Sequence, residues 1–152
     1  MKDQIQNTIE IAVTPEKIYS YVTQPWFWHE WHPNSKSAKA KETVLSVGDT
    51  FDEVIELKPL SPLPIKLKKQ TLYKVLIAKA GQHWQVEGDM NGGWLQIDYQ
   101  FKNSERGVVF TRTLSYEIKG INRILAPLLK PKMSEMSSVA LHNLKQKLEE
   151  MA

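Results

Sequence analysis

The chain opens on a strict alternation. Across positions 4–13, "QIQNTIEIAV", Ile5, Ile9, Ile11 and Val13 share one parity and Gln4, Gln6, Thr8 and Glu10 the other, the period of two that marks a half-buried strand. "TPEKIYSYVTQP" follows, with Thr14 placed to cap a helix, Pro15 in its first position, Glu16 near its positive end and Ile18, Tyr21 and Val22 as its apolar stripe. That helix ends near Pro25. Beyond an aromatic segment, six runs read as strands: 37–45, 49–57, 66–79, 82–90, 94–103 and 108–119. Short polar connections containing Gly48, Gly81, Gly92-Gly93 and Gly107 lie between them and predict antiparallel hairpins. From residue 121 the period lengthens, and Met133, Met136, Ala140, Leu144, Leu148 and Met151 recur at three and four, predicting a long amphipathic helix. Pro127 and Pro131 predict a separate turn or kink before its regular part.

This pattern is α+β, with element order β-α-α-β6-α. A curved antiparallel sheet has one apolar face to cover, and only the C-terminal helix is long enough to cover it. A strongly bent sheet gripping one helix is not filled completely by its own side chains, so the gap is a candidate ligand cavity. The 152 residues predict a single domain, 1–152, and 41% hydrophobic with 24% charged residues is an ordinary globular composition. The net charge of +3 permits an anionic partner without requiring one. No cysteine is present, which excludes disulfides, thiolate nucleophiles and cysteine-ligated zinc or iron–sulfur centres. The N-terminus reads neither as a signal peptide nor as a membrane span, so a cytoplasmic location is expected. No exposed face interleaves basic and stacking aromatic residues as a nucleic-acid site would.

Three local texts carry a resemblance: Thr14-Pro15-Glu16-Lys17-Ile18-Tyr19 at the helix start, Trp31-His32-Pro33 after the aromatic segment, and Tyr99-Gln100-Phe101 ahead of a hairpin and the Thr111-Arg112-Thr113 strand. With the element order, they resemble the polyketide cyclase/dehydrase-like members of the START/Bet v 1-like superfamily over nearly the whole chain. The resemblance implies a helix-grip fold, a curved seven-stranded antiparallel sheet around a long C-terminal helix. It implies no universal catalytic residue, since that superfamily hosts carriers, pigment and hormone binders, cyclases, hydroxylase domains and co-chaperones; this chain lacks or scatters the ligands an iron site or Rieske cluster needs, so no cofactor is expected.

The segment "PWFWHEWHP" concentrates Trp26, Phe27, Trp28 and Trp31 with His29 and His32. The histidines stand at i, i+3, but a zincin helix needs His-Glu-x-x-His, and no metal is expected. The rings are expected to close the open end of the sheet, with Phe27 and Trp31 at a cavity mouth. Arg112 shares the apolar parity of Val108, Phe110, Leu114, Tyr116 and Ile118, and Glu53 that of Phe51, Ile55 and Leu57. An isolated buried charge is too costly. Either Glu53 and Arg112 project into one cavity, pairing or meeting a ligand's polar end, or a bulge turns Arg112 to solvent. The same alternation nominates Tyr73, Val75, Ile77, Trp84, Val86, Met90, Leu95, Ile97 and Tyr99 as inward-facing. Met133 and Met136 add adaptable thioethers where the helix begins. In "ELKPLSPLPIKLKK", Leu60 and Leu63 beside Lys66, Lys68 and Lys69 form either a proline-stiffened gate or a transient membrane contact.

The expected function is binding of a small hydrophobic ligand such as a lipid, isoprenoid or aromatic compound. One alternative is a cyclase or dehydratase using Glu53, Arg112, Tyr73, Tyr116 or His83 as acid or base. Another is a partner-binding module of co-chaperone type, which would have a solid core and a large exposed apolar patch.

Overall fold

The computed structural model describes residues 2–58, 66–90 and 93–151, without the side chains of Met90, Ile121 and Asn122. The nominated loop leucines, Leu60 and Leu63, and the Met90 side chain lie outside the described residues.

Seven strands form one antiparallel sheet: β1 (Lys2–Ile11), β2 (Ser35–Ala40), β3 (Thr50–Leu57), β4 (Leu67–Lys79), β5 (His83–Met90), β6 (Gly93–Ser104) and β7 (Gly107–Ile118), in spatial order β1-β7-β6-β5-β4-β3-β2. Two α-helices, α1 (Pro15–Val22) and α2 (Ala126–Met151), and two 3-10 helices, Pro25–Glu30 and Gly120–Leu125, complete the order. At the start of α1, the Thr14 hydroxyl accepts from the Lys17 amide at 3.3 Å and Pro15 occupies the first turn, as its side-chain chemistry dictates. The alternation of β7 is complete: Val108, Phe110, Arg112, Leu114 and Tyr116 are buried, and the residues between them are not. Gly81, at φ +71°, sits in the turn that reverses β4 into β5, where its freedom to adopt positive φ is used.

Three sequence expectations need correction. The second strand begins at Ser35 and stops at Ala40, so residues 41–45 are not strand, although Leu45 is buried. A register shift between Val75 and Ile77 turns Ile77 off the inward parity and places Ala78, not Ile77, opposite Trp84. On α2, helical drift puts Leu129, Ser137, Ala140, Leu141, Leu144 and Leu148 inside, while Met136 is half-buried and Met151 exposed. The expected turn before the last helix is the 3-10 helix Gly120–Leu125. The helix itself starts at Ala126 and carries Pro131 inside it.

Half of the concave face is solid core. The ring of Trp28, from the first 3-10 helix, drives edge-on into Phe51, Trp84, Tyr73 and Tyr99 at centroid distances of 5.5–6.5 Å. Its indole N–H donates to the Val22 carbonyl at 2.7 Å, so the polar handle is satisfied inside the fold. The aromatic segment therefore fills one end of the grip. The other end is not filled.

Candidate functional site

Between β3, β4, β6 and β7 on one side and the first half of α2 on the other lies a cavity of about 90 Å³. Its wall is mainly apolar, with Trp31, Ile55, Ile97, Leu114, Leu129 and Met133 among its members. Glu53, Tyr73, Tyr99 and Arg112 also line it.

The strand register explains why these polar groups meet. Arg112 on β7 lies directly opposite Tyr99 on β6, and Phe51 on β3 opposite Tyr73 on β4, which sets Glu53 two residues along on the same face. Glu53 and Arg112 are 4% and 5% exposed. The Arg112 guanidinium donates from Nη1 to the Ser137 hydroxyl of α2 at 3.1 Å, while its Nε–H has no partner. Tyr73 Oη donates to Glu53 Oε1 at 3.4 Å. Gly88 lies opposite Tyr73 and leaves it room: a Cβ there would stand 2.7 Å from Tyr73 Cδ1.

Burial dominates the electrostatics. Removal from water raises the Glu53 pKa to about 7, although Ser35, the Arg112 charge and the Tyr73 hydroxyl pull it back. Of these three the Ser35 hydroxyl exerts the largest pull, from a position beside the carboxyl that falls short of full hydrogen-bond geometry. Burial likewise raises the Tyr73 phenol well above its ordinary value, helped by the Glu53 charge. It raises Tyr99 too, against the opposing pull of Arg112. His32 is driven well below its ordinary value by burial and then by Arg112, so it is neutral; its Nδ1 accepts from the Asn34 amide at 3.2 Å.

Of the nominated residues, the cavity brings together Trp31, Glu53, Ile55, Tyr73, Ile97, Tyr99, Arg112, Leu114, Tyr116 and Met133. Phe51, Val75, Trp84, Val86 and Phe110 do not line it. Their inward parity is right, but Trp28 and its neighbours cover that half of the sheet, and all five are core. Phe27 is also a correction: it stacks on Tyr21 at 6.2 Å and is 36% exposed, because a 3-10 turn sends adjacent rings in different directions. Met136 falls off the helix stripe and does not line the cavity. His83 is on the outer face, 2.5 Å from Asp98, away from Glu53 and Arg112.

His32, Asn34, Ser35, Leu67, Lys69, Leu129 and Ser137 line the wall without a sequence signal strong enough to nominate them, and Trp28, one of the rings expected to close the open end of the sheet, reaches it as well. Ser35 faces inward because a register shift between Ser35 and Ser37 breaks the β2 alternation. Ser137 was legible, one helical turn beyond Met133, but a small hydroxyl residue does not stand out in an apolar stripe.

Among the described residues no group of three metal-ligating side chains is present. The polar groups instead suit a carbonyl, carboxyl or hydroxyl on an otherwise apolar molecule. Residues 2–149 match the family described as polyketide cyclase / dehydrase and lipid transport. No curated protein matches the chain in sequence. A solved protein from Thermus thermophilus superposes with a TM-score of 0.74 at 12% identity, over 99% of each chain. An aromatase/cyclase from a Streptomyces species gives 0.73 at 6% identity, over 98% of this chain and 94% of that one. A START superfamily protein from Mycobacterium smegmatis gives 0.66 at 13% identity, over 97% and 95%. At these identities the likeness is one of fold.

Proposed function

The chain belongs to the polyketide cyclase / dehydrase and lipid transport family, with the helix-grip fold, and on that premise we propose that it binds a small hydrophobic ligand between the sheet and α2. The observation that carries this reading is an apolar-walled cavity with a buried guanidinium on its side. Apolar area removed from water would supply most of the affinity, on a scale of about 25 cal/mol per Å². At about 90 Å³ the space is below the several hundred Å³ of common ligand pockets, so a larger ligand requires its walls to yield. Met133 and Leu129, at the start of α2, are the wall residues best able to do so. Native mass spectrometry of the protein as isolated, with saturable enhancement of an apolar dye's emission, tests the reading. Finding neither a retained molecule nor dye binding would overturn it.

A second reading is acid–base catalysis on an enolisable carbonyl compound in the same cavity. It is favoured by the convergence of Glu53, Tyr73, Tyr99 and Arg112, with the Glu53 pKa near 7 suited to proton transfer. Glu53→Gln would then abolish turnover while binding persists.

No helix among the described residues is long and apolar enough to cross a membrane. The reading places the protein in the cytoplasm with transient contact at a lipid surface, which Ile124 and Leu128, 77% and 49% exposed, support. In sequence Leu128 directly precedes Leu129 of the cavity wall, Ile124 follows the basic Arg123, and Lys132 lies one helical turn beyond Leu128.

A further inference from the structure

The polar atoms on the cavity wall are unequally provided for. Three buried donors lack a partner: Arg112 Nε–H, Trp31 Nε1–H and the Ser35 hydroxyl, in residues 5%, 1% and 5% exposed. All three residues line the cavity. His32 adds a fourth donor, since its neutral ring accepts at Nδ1 from Asn34 and so carries its proton on Nε2. The carboxyl of Glu53 is the principal acceptor on this wall, and one of its oxygens already receives the Tyr73 hydroxyl. Buried donors left unmade cost free energy, and native folds leave few of them. Trp84 Nε1 and Thr71 Oγ1 are also unpartnered, but those residues stand in the core behind the wall.

We infer that the ligand carries a carboxylate, seated by the Arg112 guanidinium with the Trp31 indole and Ser35 hydroxyl, and an apolar chain or ring that fills the rest of the cavity. A carboxylate brings two acceptor oxygens and one negative charge, and charge-assisted bonds from a guanidinium are the strongest the wall can make. A neutral carbonyl would leave the guanidinium charge unanswered, and an ammonium would add a second buried cation. The obvious objection is repulsion from Glu53. That carboxyl is faced by Ser35 of β2, Tyr73 of β4, Tyr99 of β6 and Arg112 of β7, and its burial already favours the protonated form near neutral pH. A second carboxylate beside Arg112 drives Glu53 further toward its neutral acid, so binding takes up a proton.

This inference rests on the ligand-binding reading, and the test separates the two. The bound apolar dye is displaced at pH 8 by 2-naphthoate, by its methyl ester and by 2-naphthylmethylamine. The acid is expected to compete roughly tenfold or more better than the ester, with the amine weakest. Calorimetry of 2-naphthoate in buffers of different ionisation enthalpy is expected to show proton uptake, and the ester none. Trp31→Phe removes the indole N–H while keeping an aromatic ring, and it should weaken the acid more than the ester, narrowing the acid–ester gap severalfold. Arg112→Met should erase the gap; if that variant does not fold, Trp31→Phe and Ser35→Ala decide. An ester that binds as tightly as the acid overturns the carboxylate and leaves ligand binding standing. An acid preference unchanged in the variants overturns the assigned seat. Dye that none of the three compounds displaces overturns the carboxylate, and a protein that binds neither the dye nor any of the three overturns both readings.

Discussion

The guanidinium of Arg112, midway along β7, donates to the Ser137 hydroxyl of α2 at 3.1 Å and so ties the sheet to the helix across the cavity. Both residues are buried, at 5% and 1% exposure. Ser137→Ala removes the acceptor and leaves a second donor of Arg112 unmade beside the unpartnered Nε–H. The expected loss is about 1–3 kcal/mol in denaturant unfolding, large for removal of one oxygen. A loss below the error of the measurement would mean that the tie contributes nothing.

Glu53 makes stability fall as pH rises. Its pKa goes from an ordinary 4.5 to about 7 in the folded chain, chiefly because burial penalises the charged form. The folded state therefore holds the proton more tightly than the unfolded state. Its contribution is fully present below pH 4.5 and is lost as pH rises toward 7, by roughly 3 kcal/mol in total. His32 acts in the opposite direction: folded, it is neutral, and its contribution is lost as pH falls below its ordinary 6.5. The difference between wild type and Glu53→Gln isolates the first effect. The Gln variant should gain relative stability between about pH 5 and pH 8, read from unfolding midpoints, and parallel pH curves would rule out the raised pKa.

Gly88→Ala tests how the Glu53 side chain is held. A Cβ at that position would meet Thr71 Cγ2 at 2.6 Å and Tyr73 Cδ1 at 2.7 Å, closer than real carbon contacts allow. The Tyr73 ring must then shift, and its hydroxyl leaves Glu53 Oε1. With that donor gone the carboxylate loses one of its stabilising partners, so the Glu53 pKa should climb above its wild-type value. Carboxyl-carbon NMR titration reads this directly, and an unchanged titration would show that the ring has another way to fit.

Much of this fold was legible because its signals repeat. The period-two parity of β7 groups Arg112 with five apolar neighbours but leaves a bulge open, and the unbroken strand is what turns it inside; the Pro15 and Thr14 pair marks the start of α1. The cavity wall was legible only where alternation is unbroken. At Ser35 and at Val75–Ile77 the register shifts, and a parity argument carried through a bulge names the wrong face. Nor does parity distinguish core from cavity. Trp84 and Tyr99 are cross-strand neighbours stacked at 5.3 Å, yet only Tyr99 lines the space, because Trp28 comes from another element to cover Trp84. That packing is tertiary, and no local pattern encodes it.

The surface beside the cavity carries the last prediction. Ile124 and Leu128 project into solvent next to Arg123 and just ahead of Leu129, which lines the cavity. Lys130 is paired with Asp3 and Lys119 with Glu117, so Arg123 and Lys132 supply most of the excess charge of this segment. Across the cavity, Leu67 lies between Lys66 and Lys68, which with Lys36 gather round Glu56 at 3.7–3.9 Å, three cations to one carboxylate. Apolar side chains flanked by surplus cations suit an anionic bilayer, where each basic residue contributes about 1 kcal/mol near the surface. The protein should co-sediment with phosphatidylserine-containing vesicles at low salt, release as ionic strength rises and ignore neutral phosphatidylcholine vesicles. Replacing Ile124 and Leu128 with serine should weaken vesicle binding severalfold and leave dye binding in solution unchanged. Equal affinity for neutral and anionic vesicles, or no loss in the double variant, would show that ligand reaches the cavity by another route.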